Sequence, residues 1–219
     1  MKTIAIIPAF NEFDRLQGVN REVLPFVDHI VVVDDGSREP LREQLDSNPA
    51  ITILRHTINL GKGAALKTGV MWAIDHGYEA VVFIDADGQH DPKEIPSLLR
   101  PILEQRAEIV FGVREFHGRM PLIARAGNHL LTKAMQVLYR IQVDDSQSGF
   151  RALKISAFEK IAWQSPRYAV ETEMIVNTGK HHVPFVQVPI TTIYHDRYKG
   201  TTVIDGIRIM INILAWKIL

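Results

Sequence analysis

The chain has 219 residues, 46% of them apolar and 23% charged, the composition of a folded domain with a full core rather than of a disordered segment. Lys plus Arg and Asp plus Glu both count 25, so the net charge is zero, which argues against the broad positive field of a nonspecific nucleic-acid binder. Cysteine is absent, which excludes disulfides, thiolate nucleophiles and Cys-zinc sites.

Met1-Lys2-Thr3 runs straight into Ile4-Ala5-Ile6-Ile7-Pro8, too short an apolar run for a secretory core. No uninterrupted apolar stretch reaches the roughly 18 residues of a spanning helix, so a cytoplasmic protein is expected. Residues 3–7, 29–33, 51–54, 80–84 and 109–113 are short runs rich in Ile and Val. Their near-continuous apolarity predicts strands buried on both faces. Between them, residues 63–76 carry Leu66, Val70, Ala73 and Ile74 on one helical face, and Gly77 ends the pattern. Residues 92–105 read as a second helix, with Asp91 as N-cap and Pro92 in its first turn. Further on, residues 123–141 predict a long helix, 143–150 a polar turn-rich segment, 185–193 a strand, and 203–219 an amphipathic helix. Alternation of this kind predicts an α/β domain whose central sheet is mostly parallel, with helices on both faces.

The first four predicted strands each end in a polar cluster. These are Pro8-Ala9-Phe10-Asn11-Glu12, Asp34-Asp35-Gly36-Ser37, His56 through Asn59-Leu60-Gly61-Lys62-Gly63, and Asp85-Ala86-Asp87-Gly88-Gln89-His90. Parallel strands bring all four to one sheet edge, the crevice where open α/β folds bind ligands. In Asp85-Ala86-Asp87, two carboxylates two residues apart can reach one hard cation while Ala86 points away. Oxygen ligands select Mg²⁺ or Mn²⁺ over zinc, and Gln89 could add a neutral oxygen. Gly61-Lys62-Gly63 offers backbone amides and one cation to an anion at a helix start. It is neither a Walker A loop nor a dinucleotide fingerprint, since Leu66 stands where the third glycine belongs. His181-His182 lacks metal-site spacing, and Trp72 reads as core. His90 could cap the helix that follows or sit beside the metal.

These clusters, together with Asp145-Ser146-Gln147-Ser148-Gly149-Phe150-Arg151, resemble glycosyltransferase family 2 in order and spacing over residues 3 to 205. The branch most resembled is the dolichol-phosphate mannose synthase-like group of polyprenyl-phosphate sugar transferases. The resemblance implies a GT-A-type fold in one domain. Residues 1–113 would form the nucleotide-sugar half, 114–202 the acceptor half and 203–219 the amphipathic tail. It implies that Pro8, Ala9, Phe10, Glu12, Asp35 and Lys62 hold the nucleotide-sugar together with Asp85, Ala86 and Asp87. Asp85, Asp87 and Gln89 would take Mg²⁺ or Mn²⁺ on the diphosphate. Arg114 of Gly112-Val113-Arg114, Arg125, Arg151, Glu173 and Arg197 of the late Tyr194–Gly200 loop would face the acceptor phosphate. Arg114, Arg197 and Asp145 would carry the catalysis. The chain departs from the branch where Asp145-Ser146-Gln147 replaces Asp-Pro-Thr and where Val170-Glu171-Thr172-Glu173 replaces Phe-Gln-x-Glu.

The function implied is inverting, metal-dependent sugar transfer from a nucleotide diphosphate-sugar to a polyprenyl phosphate acceptor. A hydroxyl acceptor would need a base, for which Asp145 is the candidate and Glu173 the second choice. A non-catalytic nucleotide-sugar binding module and a nucleotidyltransferase are the competing readings. The first would dispense with Asp145, Gly149 and Arg151; the second usually has a glycine-rich loop where Ala9-Phe10-Asn11-Glu12 stands. In the tail, Asp205, Arg208 and Asn212 share one helical face and the rest is apolar over a wide arc. That arc must be covered by the protein's own core, by a second copy in a homodimer, or by a cytoplasmic membrane surface.

Overall fold

The computed structural model describes residues 1–43, 45, 47–114, 122–167, 169–193 and 203–218, with the backbone alone for 122–125, 203–205 and 218. A seven-stranded sheet organises it: β1 (Thr3–Ala9), β2 (His29–Asp34), β3 (Ile51–Arg55), β4 (Ala80–Phe83), β5 (Ile109–Arg114), β6 (Arg151–Lys154) and β7 (Phe185–Ile190), in the order β3-β2-β1-β4-β6-β5-β7. The β1, β2, β3 and β4 pairings are parallel, as is β5 with β7; β6 runs antiparallel to both β4 and β5.

Among the described residues seven α-helices cover the sheet: α1 (Phe13–Val23), α2 (Lys62–Asp75), α3 (Ile95–Leu103), α4 (Leu122–Tyr139), α5 (Phe158–Ile161), α6 (Val170–Lys180) and α7 (Val203–Ile218). Side-chain alternation along the strands explains why both faces are apolar. Ile4, Ile6, Val31, Val33, Val81 and Phe83 face α2, α4, α6 and α7 in one core layer. Ala5, Ile7, Ile30, Val32 and Val82 face α1 and α3 in the other. Asp91 caps as expected, accepting from the Lys93 N–H at 3.0 Å, but Pro92–Glu94 is a 3₁₀ turn and the α-helix starts at Ile95.

Four elements escape the periodicity reading, the four-residue helix α5 among them. Helix α1 is polar overall, though Leu16, Val19 and Val23 carry a buried stripe. Strand β6 is only four residues long and opens on an arginine. Helix α6 is buried nearly all round, Glu171 and Glu173 included, so it has no polar face to detect. Trp72 packs against the core, stacked on His76 at 3.7 Å, and His181 and His182 follow the end of α6 exposed.

The amphipathic tail is half core. Ile209 and Ile213 of α7 are buried, and the Tyr139 hydroxyl donates to the Ile213 carbonyl at 2.7 Å, fastening α7 to α4. The opposite stripe, Ile207, Ile211 and Leu214, is at least half exposed, as are Leu130 and Val137 on α4. Among the described residues no helix is long and apolar enough to cross a membrane.

Candidate active site

Strands β4 and β5 are both antiparallel to β6 and therefore run the same way. The carboxyl ends of β1, β2, β3, β4 and β5 thus share one edge, and the residues that follow them line a single crevice.

The loops after β1, β2 and β3 are tied into a frame. Asp34 is fully buried and accepts from the Ser37 N–H at 2.9 Å, the Leu41 N–H at 3.3 Å and the Arg55 guanidinium. Burial works against its ionisation, but these donors prevail and hold its carboxyl below the usual range. Ser37 Oγ accepts from the Asn11 N–H at 3.0 Å, and the Asp35 N–H donates to the Ala9 carbonyl at 2.8 Å. Asp35 is 3% exposed and accepts from the Leu60 and Gly61 N–H groups at 2.9 and 2.7 Å and pairs with His56 Nδ1 at 2.7 Å. Its carboxylate therefore shapes the pocket by anchoring the loop ahead of α2. Ala9 is core, Pro8 and Glu12 are half-buried, and Phe10 stands 45% exposed at the mouth.

Lys62 opens α2 and carries the electrostatics of the crevice. Its ammonium lies 2.6 Å from Asp85 Oδ1 and 2.8 Å from Glu171 Oε1. Gly61, at φ +102°, lets this happen: a Cβ there would stand 2.4 Å from the Pro166 carbonyl oxygen. The Trp163 indole donates to the Gly63 carbonyl at 2.7 Å and locks the same turn from the other side. Burial opposes ionisation of Asp85, but Lys62 and His90 outweigh it and hold the carboxyl well below the ordinary range. Asp87 goes the other way, raised first by burial and then by the charge of Asp85. Its Oδ1 accepts from the Gln89 N–H at 3.0 Å, and its carbonyl accepts from Arg15 of α1 at 3.0 Å. Ala86 is packed in the core, as alternation requires, so only its backbone can meet a ligand.

Two carboxylates crowded enough to disturb one another form a hard-oxygen site that favours a divalent cation. Among the described residues no three His, Cys, Asp or Glu side chains gather into a complete metal cage. That suits Mg²⁺ or Mn²⁺, which take one or two protein carboxylates and fill the remaining positions with phosphate and water. The residues present fit the ion.

His90 settles beside this pair. Its Nε2 is 3.6 Å from Asp85 Oδ2 and its ring stacks on Phe150 at 4.9 Å, while its buried Nδ1 has no hydrogen-bond partner among the described residues.

The acceptor-side expectations divide. Arg114, at the end of β5, grips Asp145 through Nε at 2.6 Å and Nη2 at 2.9 Å. Asp145 also accepts from Asn128 of α4 at 3.2 Å, from the Gln147 N–H at 3.0 Å and from the Arg114 N–H at 3.3 Å. Burial would raise its pKa, but Arg114 and these donors win and lower it. A carboxylate so saturated is a poor proton acceptor, which weighs against Asp145 as a base. It is a positioning group for Arg114.

Arg151 does not face the crevice. It is 1% exposed and donates to the carbonyls of Ser148, Glu171 and Ser146 at 2.9, 2.6 and 3.2 Å, with its guanidinium over the Phe111 ring. Burial lowers its pKa to about 10, against the pull of Glu171 and Asp145, and it stays charged at neutral pH. It binds the 146–148 turn to α6 rather than an acceptor phosphate. Glu173 is likewise spent: its two oxygens accept from the Gln164 and Ser165 N–H groups, each at 2.8 Å. The carboxylate that does reach the crevice is Glu171, two positions earlier in the same motif segment. Its signal was the Val-Glu-Thr-Glu segment, whose two acids cannot be ranked until the helix is oriented. Gln89 follows the Asp85–Asp87 pair, its N–H bonded to Asp87, and Arg114 ends β5; the side chain of Arg125 and all of Arg197 lie outside the described residues.

Residues 4–162 match the family described as Glycosyl transferase family 2. The chain is 32% identical to a UDP-N-acetylglucosamine–dolichyl-phosphate N-acetylglucosaminyltransferase of Methanococcus voltae, over 97% of its own length and 94% of that protein's. It is 28% identical to an undecaprenyl-phosphate mannosyltransferase of Micrococcus luteus, over 99% of this chain and 94% of the other. Among solved structures it resembles glucosyl-3-phosphoglycerate synthase of Mycobacterium tuberculosis in complex with Mn²⁺, UDP and phosphoglyceric acid. The TM-score is 0.78 at 19% identity, covering 99% of this chain and 78% of that one, a likeness of fold.

Proposed function

The chain belongs to glycosyl transferase family 2, a sugar-transferring enzyme of GT-A fold, and on that premise we propose that it transfers a sugar, with inversion, from a nucleoside diphosphate-sugar to a polyprenyl phosphate. The observation that carries the acceptor is the Arg114–Asp145 pair. It fixes a cation at the acceptor side of the crevice and at the same time removes the carboxylate a hydroxyl acceptor would need. A phosphate monoester is largely ionised near pH 7, its second pKa being about 6, so it attacks without a base. The names of the two relatives point to the same acceptor class.

The chain's own residues divide the work. The frame built on Asp34 and Asp35 receives the nucleoside, with Phe10 as an apolar wall at the mouth. Asp85 and Asp87 hold Mg²⁺ or Mn²⁺, with Gln89 as a further oxygen donor. When bound, the ion supplies Lewis-acid neutralisation of the departing diphosphate. Lys62 adds a cation on the same side. Arg114, with Arg125 and Arg197 from the segments that follow, orients the acceptor phosphate for attack on the anomeric carbon from the face opposite the leaving group.

The exposed faces of α4 and α7 suit the surface where a polyprenyl phosphate presents its head group. Leu130, Val137, Ile207, Ile211 and Leu214 are exposed there beside Lys133, Arg208 and Lys217, and the two helices together carry one carboxylate in sequence, Asp205. Apolar and basic residues together favour an anionic bilayer interface. Helix α4 joins the two sites: its inner face sends Asn128 to Asp145, and its outer face carries Leu130 and Val137.

The test is formation of a glycosyl-phosphoprenol from UDP- or GDP-sugars and a polyprenyl phosphate with Mg²⁺ or Mn²⁺. Asp87→Ala is expected to lower the rate about a hundredfold or more while the protein stays folded. Full activity of that variant, or in excess chelator, rejects metal assistance. Product on a sugar hydroxyl and none on the lipid phosphate rejects the acceptor.

A further inference from the structure

We propose that Lys62 is a tethered cation that occupies the metal-binding carboxylate until the donor's diphosphate arrives, so that divalent ion and nucleotide enter as a unit. The inference rests on the reading above that Asp85 and Asp87 receive the ion.

Asp85 is engaged on both sides. Lys62 Nζ covers Oδ1 at 2.6 Å and His90 Nε2 faces Oδ2 at 3.6 Å. The ammonium has a second anchor in Glu171 at 2.8 Å, whose side chain is only 7% exposed. The surrounding structure is shaped for this bridge. A Cβ on Gly149 would stand 2.7 Å from Lys62 Nζ and 2.9 Å from Asp85 Oδ2, so a glycine at this turn leaves room for the bridge as it lies. The backbone of Lys62 cannot follow its side chain, because the preceding Gly61 N–H is bonded to Asp35 and the following Gly63 carbonyl to Trp163. What moves is a flexible stem with three rotatable donors.

A divalent ion that approaches alone meets a like charge on the oxygen it needs. To bind, it must push the ammonium off Asp85 and leave it to Glu171 with a positive neighbour. A diphosphate removes that obstacle: its oxygens ligate the ion and give the displaced ammonium a new anionic partner. Glu171 keeps Lys62 within reach throughout. Coupling of this kind is reciprocal, so nucleotide and metal each raise the other's affinity by the same factor.

The experiment titrates Mn²⁺ into the full chain, alone and with saturating UDP or GDP, and reads free Mn²⁺ by electron paramagnetic resonance. Wild type is expected to bind Mn²⁺ weakly alone and about tenfold tighter or more with the nucleotide that binds. Lys62→Met is expected to bind Mn²⁺ alone about tenfold more tightly than wild type, with the nucleotide effect shrunken. Lys62→Arg, which keeps charge and bridge, should behave as wild type. Unchanged or weaker Mn²⁺ binding by Lys62→Met overturns the proposal. So does equal Mn²⁺ affinity of wild type with and without nucleotide, a result that decides the matter even where Lys62→Met does not fold. If wild type binds no Mn²⁺ with either nucleotide, the metal reading itself fails and this proposal falls with it.

Discussion

Replacing Asp145 by Asn separates a positioning carboxylate from a catalytic base. The change is nearly isosteric but removes the charge and turns one acceptor into a donor. Asp145 has a side chain with no exposed surface and a bidentate arginine, so an NH₂ group would be forced against a guanidinium N–H. Breaking a buried ion pair costs about 3–5 kcal/mol. Arg114 is 16% exposed and can recover some hydration, which puts the cost near the lower end, about 3 kcal/mol. For a chain of this size each kcal/mol moves the melting point by about 2–4 °C, so a drop of about 6–12 °C is expected. Urea titration and a thermal scan measure it. The lowered pKa of Asp145 fixes the pH dependence. Its stabilisation is complete above the unfolded carboxyl value, near 3.9, and is lost as pH falls through the lower folded value. The gap between wild type and variant should therefore be constant near neutrality and narrow in acid. Transfer should fall because Arg114 is no longer held, with no shift of the pH–rate profile near neutrality. A variant as stable as wild type, whose activity loss is confined to hydroxyl acceptors and whose rate profile loses its acidic limb, would refute the positioning role and restore the base.

Arg151→Lys should lower stability by about 2–3 kcal/mol in urea titration, because an ammonium cannot span the three carbonyls that the buried fork satisfies; a loss of phosphate-acceptor affinity at unchanged stability would contradict this. Glu173→Ala leaves the Gln164 and Ser165 N–H groups without their acceptor and should cost about 1–3 kcal/mol, while the acceptor KM of the folded enzyme stays as it was. Ile211→Asp combined with Leu214→Asp changes two exposed positions, so melting should hardly move while sedimentation with anionic vesicles weakens; unchanged sedimentation removes the membrane-facing role of α7.

Much of the nucleotide side was legible in the chain because parallel strands buried on both faces leave a direct trace. Each must be a short apolar run, and each must release its polar residues at its carboxyl end. Residues 3–7, 29–33, 51–54, 80–84 and 109–113 therefore located the sheet within a residue or two, and the clusters that follow them located the crevice. Strand β6 left no such trace, since four residues opening on an arginine look like a turn until β4 and β5 flank them.

On the acceptor side, residue type and spacing named the polar groups but did not decide what each one faces. Arg151 and Arg114 are both arginines in motif positions. One spends its donors on three buried carbonyls, while the other is turned by a carboxylate at the crevice edge. Glu171 and Glu173 are two residues apart on one helix, and the roughly 100° turn per residue sends one to Lys62 and the other to the loop at Gln164. These assignments depend on partners distant in sequence: Lys62 meets Glu171 only because α2 and α6 pack on the same face of the sheet. Sequence alone determined where the strands end and which chemistry gathers there, because burial and pleat are local constraints. Only the tertiary structure decided which charged groups serve a ligand and which serve the fold, because a polar side chain's role is set by the nearest donor or acceptor in space.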